Sequence, residues 1–176
     1  SNVGEELQNM LQALKHRGPD STGYALYANN DGQNFILRFK VGENVGEGST
    51  SVNEDESVYD ERKKIVDKKL SDLGAPIIKE EKLTPYSYRY EIQYGKDLMW
   101  FSQAIESIEN VEILSIGKSL ELIKDLGDAK AVSERYGLNK VQGTHGIGHA
   151  RMATESGVDI KSAHPFWGYP FADVSV

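Results

Sequence analysis

Tyr86, Tyr88, Tyr90, Ile92 and Tyr94 recur at every second position, and no other pattern in the chain restricts the fold as strongly. A period of two puts all five side chains on one face of a β-strand. So much apolar surface has to be covered, and packing against a helix accounts for it better than a ligand platform does. Helical patterns lie on both sides. Ahead of it, from Asn53, the residues Val58, Ile65, Val66, Leu70 and Leu73 fall on one side of a helix, with Gly74 and Pro76 as its stop. Behind it, Leu98, Phe101, Ile105 and Ile108 mark another helix, and residues 111–116 read as a buried strand. Residues 45–116 are therefore expected to be a small α+β subdomain, with its linker, inserted into a host made of residues 1–44 and 117–176.

The host begins with Leu7, Met10, Leu11 and Leu14 at helical spacing, and Glu5 and Glu6 sit where the helix dipole favours acids. Gly18 and Pro19 stop that helix. Two β-prone runs, 23–27 and 34–41, flank Asn29-Asn30-Asp31-Gly32, a hairpin signal that predicts an antiparallel pair. Residues 42–57, rich in glycine, serine and acids, read as a solvated linker. Asp128 is placed to cap a short helix that ends at Tyr136 and Gly137, and residues 171–176 read as the start of a strand.

Charge and composition narrow the function. A net charge of -7 over 176 residues argues against nucleic acid as a partner, because a phosphate-backbone binder needs a basic face. No apolar run approaches the roughly 18 residues that read as a membrane span, and the first residues lack the layout of a secretion signal, so a soluble cytoplasmic protein is expected. With no cysteine present, disulfides, thiolate metal sites and a cysteine nucleophile are absent from these residues.

Chemistry is concentrated in residues 143–166. His145 and His149 have the spacing of two metal ligands on a helix, but Gly143, Gly146 and Gly148 argue against a helix and a third ligand is missing. They read better as histidines hydrogen-bonded within a packed strand and turn. Gly117-Lys118-Ser119 imitates the end of a phosphate loop, yet position 112, where its first glycine belongs, is Glu. Arg151 carries more information, since its guanidinium is a charged fork matched to a carboxylate. It follows a run of small residues that lets backbones approach closely, and Thr154 lies three residues on. In a strand Arg151 shares a face with His149 and Ala153, so Thr154 joins it only if the chain turns after Met152.

Two stretches resemble the class II glutamine amidotransferases, the N-terminal-nucleophile group. His16-Arg17-Gly18-Pro19-Asp20-Ser21-Thr22-Gly23 is similar to that family's first-helix turn. Gly148-His149-Ala150-Arg151-Met152-Ala153-Thr154-Glu155-Ser156, followed by Ala163-His164-Pro165-Phe166, is similar to its glutamine-binding segment. Together with Gly143-Thr144-His145-Gly146-Ile147 they most resemble the domains related to glutamate synthase. The resemblance implies an α+β fold, an αββα sandwich of two antiparallel sheets, here partial. It also implies hydrolysis of glutamine to glutamate by an N-terminal Cys, with an Asn-Gly oxyanion hole, and passage of ammonia to a synthase domain or subunit. No cofactor or metal is called for, and self-association is left open.

Carried over by position, Arg151 would pair with the glutamine α-carboxylate and Thr154 would hold the same end. Arg17 and Asp20 would shape the wall near the nucleophile, while His149 and His164 would support the glutamine-binding loop. The departures are the missing Cys, which should precede the first helix, and the missing Asn-Gly, expected just after residue 176. Ser1-Asn2 resembles an expression-tag remnant and has no strand to fix its amine. The expectation is a fragment truncated at both ends, inactive alone. The competing reading is a non-catalytic interaction module acting through residues 45–116.

Overall fold

A computed structural model of the chain describes residues 1–17, 20–44, 54–152 and 160–176. Helix α1 (Val3–Gln12) is followed by a 3-10 turn (Lys15–Arg17), strands β1 (Ser21–Ala28) and β2 (Phe35–Lys40) and helix α2 (Glu56–Asp72). Next come β3 (Ile77–Thr84), β4 (Ser87–Ile92), α3 (Leu98–Glu106), β5 (Glu112–Gly117), β6 (Leu120–Leu126), α4 (Ala129–Tyr136) and β7 (Gly143–Arg151). The strands make two antiparallel sheets, ordered β6-β1-β7 and β3-β4-β2-β5. The fold is α+β, and no helix among the described residues is long and apolar enough to cross a membrane.

The hairpin expected across residues 29–32 does not form. Strand β1 is central in one sheet, between β6 and β7, and β2 is central in the other, between β4 and β5. The connection's backbone donors go elsewhere: Ala28 N–H donates to the Ser119 carbonyl (2.9 Å) and Asn29 N–H to the Gln142 carbonyl (2.9 Å). Each strand gains two long-range partners in place of one local one. Because β2 pairs with both β4 and β5, it shares a sheet with strands from residues 77–117, and Leu37, Phe39 and Val41 share their core.

Of the five alternating residues, Tyr88, Tyr90 and Ile92 lie in β4, while Tyr86 sits in the turn before it and Tyr94 beyond its end. Tyr86, Tyr88, Tyr90 and Ile92 are buried against Val66 and Leu70 of α2 and Phe101 and Ile105 of α3, with Tyr90 edge-on to Phe39 at 4.9 Å. Helix α2 turns a different stripe inward than its spacing suggests: Tyr59, Val66 and Leu70 are buried, while Ile65 is 49% exposed. Those three sit seven and four residues apart on one line of a 3.6-residue helix, and Ile65 lies a residue off that line. In α4 the expected signals hold. The Asp128 side chain caps the helix by accepting from Ala131 N–H (2.9 Å), and Gly137 follows at φ 66°.

Between the sheets lies a polar tie. Arg38 and Arg89 are cross-strand neighbours, and both reach Glu121 of β6: Arg89 through its Nε, Arg38 through Nη2 at 3.5 Å. Burial pushes the Glu121 carboxyl up, but the two guanidiniums outweigh it and hold it below its ordinary value. Removing one partner would strand a buried charge, a loss of about 3–5 kcal/mol. Nearby, buried Asp125 accepts from the hydroxyls of Tyr86 and Tyr136 and pairs with Arg135 at 3.2 Å, fastening α4 to the start of β4.

Candidate functional site

Strand β7 builds the site, and its small residues decide how. Side chains alternate across a strand. A side chain at Gly148 would run into Leu11 of α1, so the helix lies directly on the β7 backbone there. The opposite face then carries His145, Ile147, His149 and Arg151. Across the ladder, Arg151 faces Ser21 and His149 faces Gly23 of β1. Gly23 in turn faces Lys124 of β6, which completes a row across the sheet.

The segment after residue 160 lies over that row. The His164 carbonyl sits where a side chain on Gly23 would be, so only glycine lets the segment settle on the sheet. The His164 ring meets His149 edge-on at 5.6 Å and Phe166 at 4.7 Å, and the buried Lys124 Nζ stands 4.3 Å from the Phe166 ring centre. Arg151 Nη1 donates to Ser162 Oγ at 2.7 Å. The Arg151 carbonyl accepts from Asp20 N–H at 2.8 Å, and the Asp20 carbonyl accepts from Gly127 N–H at 3.1 Å. Asp20 thus fixes the backbone beside Arg151.

A cleft of about 360 Å³ opens at the end of β7, lined by Leu11, Leu14, Arg17, His149, Arg151 and Met152 among others. It brings three of the expected site residues together: Arg17 on the 3-10 turn after α1, and His149 and Arg151 on β7. Burial lowers the His149 imidazole below its ordinary range, and proximity to His164 and Arg151 lowers it further. Its Nδ1 is buried and has no partner among the described residues. Arg17 and Arg151 thus both line one cleft, and a guanidinium is a charged fork matched to a carboxylate. Thr154 lies outside the described residues, as do Gly18 and Pro19.

His145 takes no part in this cleft. It stacks on Tyr27 at 4.2 Å and its Nδ1 meets Thr144 Oγ1 at 2.9 Å. Four residues along a strand span about 13 Å, so the helix-type ligand spacing of His145 and His149 becomes a separation no single metal ion bridges. The Gly117-Lys118-Ser119 turn is also accounted for internally, since the Asp173 carboxylate takes its N–H groups. Ser1, expected to lack a strand to fix its amine, is paired with Gly143: its carbonyl accepts from Gly143 N–H (3.0 Å) and its amine donates to the Gly143 carbonyl (3.1 Å). Gly143 lies eight residues from Arg151, about 26 Å along the strand, too far for Ser1 to attack a molecule held by Arg151.

Sequence reasoning missed Ser162, Ser21 and Lys124. Lys124 interrupts the apolar run Leu122-Ile123-Lys124 of a strand that the periodicity does not announce, and that interruption was the available signal. Ser162 and Ser21 carry no local signal, because only the register of β1 on β7 and the returning chain bring them to Arg151.

No family model matches the chain. A protein of Methanothermobacter thermautotrophicus, provisionally named a glutamine amidotransferase, is 33% identical over 182 residues, covering 99% of this chain and 54% of that protein. The glutamine amidotransferase-like protein GlxB of Rhizobium meliloti is 30% identical over 164 residues, 93% of this chain and 49% of its own. A shorter match, 33% over 57 residues, covers 32% of this chain and 10% of the glutamine--fructose-6-phosphate aminotransferase [isomerizing] of Pyrobaculum aerophilum. The chain spans about half the length of the first two. By sequence, then, the chain is related to glutamine amidotransferase-like proteins along nearly all of its own length.

Proposed function

We propose that the chain is the glutamine-holding part of a class II glutamine amidotransferase, of the type related to glutamate synthase, within a partial αββα sandwich. The full-length protein containing it hydrolyses glutamine to glutamate and passes ammonia to a synthase domain or subunit. Arg151 pairs with the glutamine α-carboxylate and Thr154 holds the same end. Arg17 and Asp20 form the adjoining wall, and His149 and His164 support the glutamine-binding loop. The observation that carries this reading is the placement of Arg151 at the end of β7, where one cleft also takes in Arg17 and His149.

Arg151 acts by position. A guanidinium fork at a partly water-excluded site binds a carboxylate with two charge-assisted hydrogen bonds and so fixes one end of the amino acid. The carboxamide at the other end is then directed towards the nucleophile. The attacking Cys of the proposed mechanism is not among these 176 residues, and the part proposed for them is to hold the substrate for it.

The test is a glutaminase assay of the full-length protein, following glutamate release. Activity is expected, with loss on substituting its N-terminal Cys, and a KM for glutamine raised roughly tenfold or more by Arg151→Ala. Absence of hydrolysis, or full activity without that Cys, would overturn the proposal. Either result would favour the interaction module, for which α3 offers Met99 and Trp100, the latter 65% exposed.

A further inference from the structure

The Asp173 carboxylate has both oxygens engaged by a single turn of the chain. Its Oδ1 accepts from Ser119 N–H (2.7 Å), Leu120 N–H (2.8 Å) and the Ser119 hydroxyl (3.1 Å), and its Oδ2 accepts from Lys118 N–H (3.0 Å). Its own N–H donates to the Ile116 carbonyl (3.1 Å). Successive N–H groups of a turn form a cup for an anion, and here the β5–β6 turn closes on a carboxylate of its own chain. Asp173 adopts φ 59° to reach it, a left-handed conformation that Asp tolerates better than most residues.

From this anchor the chain runs back to the cleft. Residues 166–176 fold back on themselves. Phe166 and Val176 exchange both backbone hydrogen bonds at 2.8 Å, Gly168 N–H donates to the Val174 carbonyl at 2.7 Å, and Trp167 pairs with Ser175. Ser175 Oγ meets the Tyr27 hydroxyl at 2.8 Å. The strand end fixed in this way is continuous with His164, whose carbonyl rests on Gly23 and whose ring meets His149, and two residues earlier with Ser162, which receives Arg151. One carboxylate thus sits at the root of the segment that roofs the β7 face.

We infer that Asp173 is a positioning residue: seated in the N–H cup of the β5–β6 turn, it holds residues 166–176 in place and thereby sets His164 against His149 and Ser162 against Arg151. It touches no substrate. The functional part of this inference rests on the proposed glutamine site; the structural part does not. Burial raises the Asp173 carboxyl, but the three N–H donors and the hydroxyl outweigh it and leave it below its ordinary value. The anchor is therefore present at neutral pH and is released as the pH falls through that lowered value.

The experiment compares the wild-type chain with Asp173→Asn by NMR and amide hydrogen exchange. Asn keeps the size but loses the charge and offers its NH2 to donors. Exchange at the Phe166 and Val176 amides is expected to accelerate roughly tenfold or more, and the His149 and His164 ring resonances to move, while Leu37 and Tyr90 in the other core keep their protection. Unchanged exchange and unchanged histidine signals would overturn the inference. If Asp173→Asn also exposes Leu37 and Tyr90, the milder Ser119→Ala, which deletes one donor, decides: it must loosen Phe166 and Val176 selectively, and no effect there counts against it. In the full-length protein, Asp173→Asn should weaken L-glutamate binding roughly tenfold. If the wild-type protein binds no glutamate, the proposed function fails, and the exchange and histidine readouts still judge Asp173.

Discussion

His149 shows how a single residue combines what the sequence reveals and what it hides. Its place on a strand face beside Arg151 follows from alternation alone. The lowering of its imidazole follows from burial, from the His164 ring at 5.6 Å and from the arginine, none of which the local sequence announces. The sign of the pH effect is fixed. With the folded value below the unfolded one, the unfolded chain binds more protons between the two, so the contribution of His149 is whole above the unfolded value and is lost as pH falls. Urea unfolding of the wild-type chain and His149→Asn at about pH 7.5 and about pH 5.5, on either side of the ordinary imidazole range, checks this. The wild type should lose more stability than the variant over that interval, and an equal loss would show that His149 is not buried as described.

At the scale of elements, contact between α1 and β7 sets the position of the site. The small residues before Arg151 signal close backbone approach, and α1 is what approaches: Leu11 fills the space over Gly148. A Val at position 148 would force the helix and strand apart. Overpacking of this kind costs about 1–3 kcal/mol, so Gly148→Val should lower the urea midpoint accordingly. It should also weaken ligand binding at Arg151, which lies further along the same strand. Wild-type stability in Gly148→Val would contradict the packing. Helix α4, with Asp128 before it and Gly137 after it, was legible at both ends because its caps are local. The supposed hairpin was not, because Asn29-Asn30-Asp31-Gly32 specifies only a bend, and the choice between pairing β1 with β2 and placing each in its own sheet is made by strands far along the chain.

For the whole molecule, the same division holds. Tyr86, Tyr88 and Tyr90 declared a strand with a covered face, and Phe101 and Ile105 declared one of the covers. The charged tie of Arg38 and Arg89 to Glu121 was invisible, since each residue comes from a different strand and only the pairing and stacking of those strands brings all three together out of water. The candidate site divides likewise. Arg151 and His149 stood out in one segment, whereas Ser162, Ser21 and Lys124 join them through register and a returning chain. In the proposed function Arg151 holds the α-carboxylate of the substrate. Calorimetric titration of the full-length protein and its Arg151→Ala variant with L-glutamate and with the α-amide of glutamate measures that contact. L-glutamate is expected to bind roughly tenfold or more tightly than the α-amide, and this preference to vanish in Arg151→Ala. Equal binding of the two compounds, or a preference that survives Arg151→Ala, would contradict it.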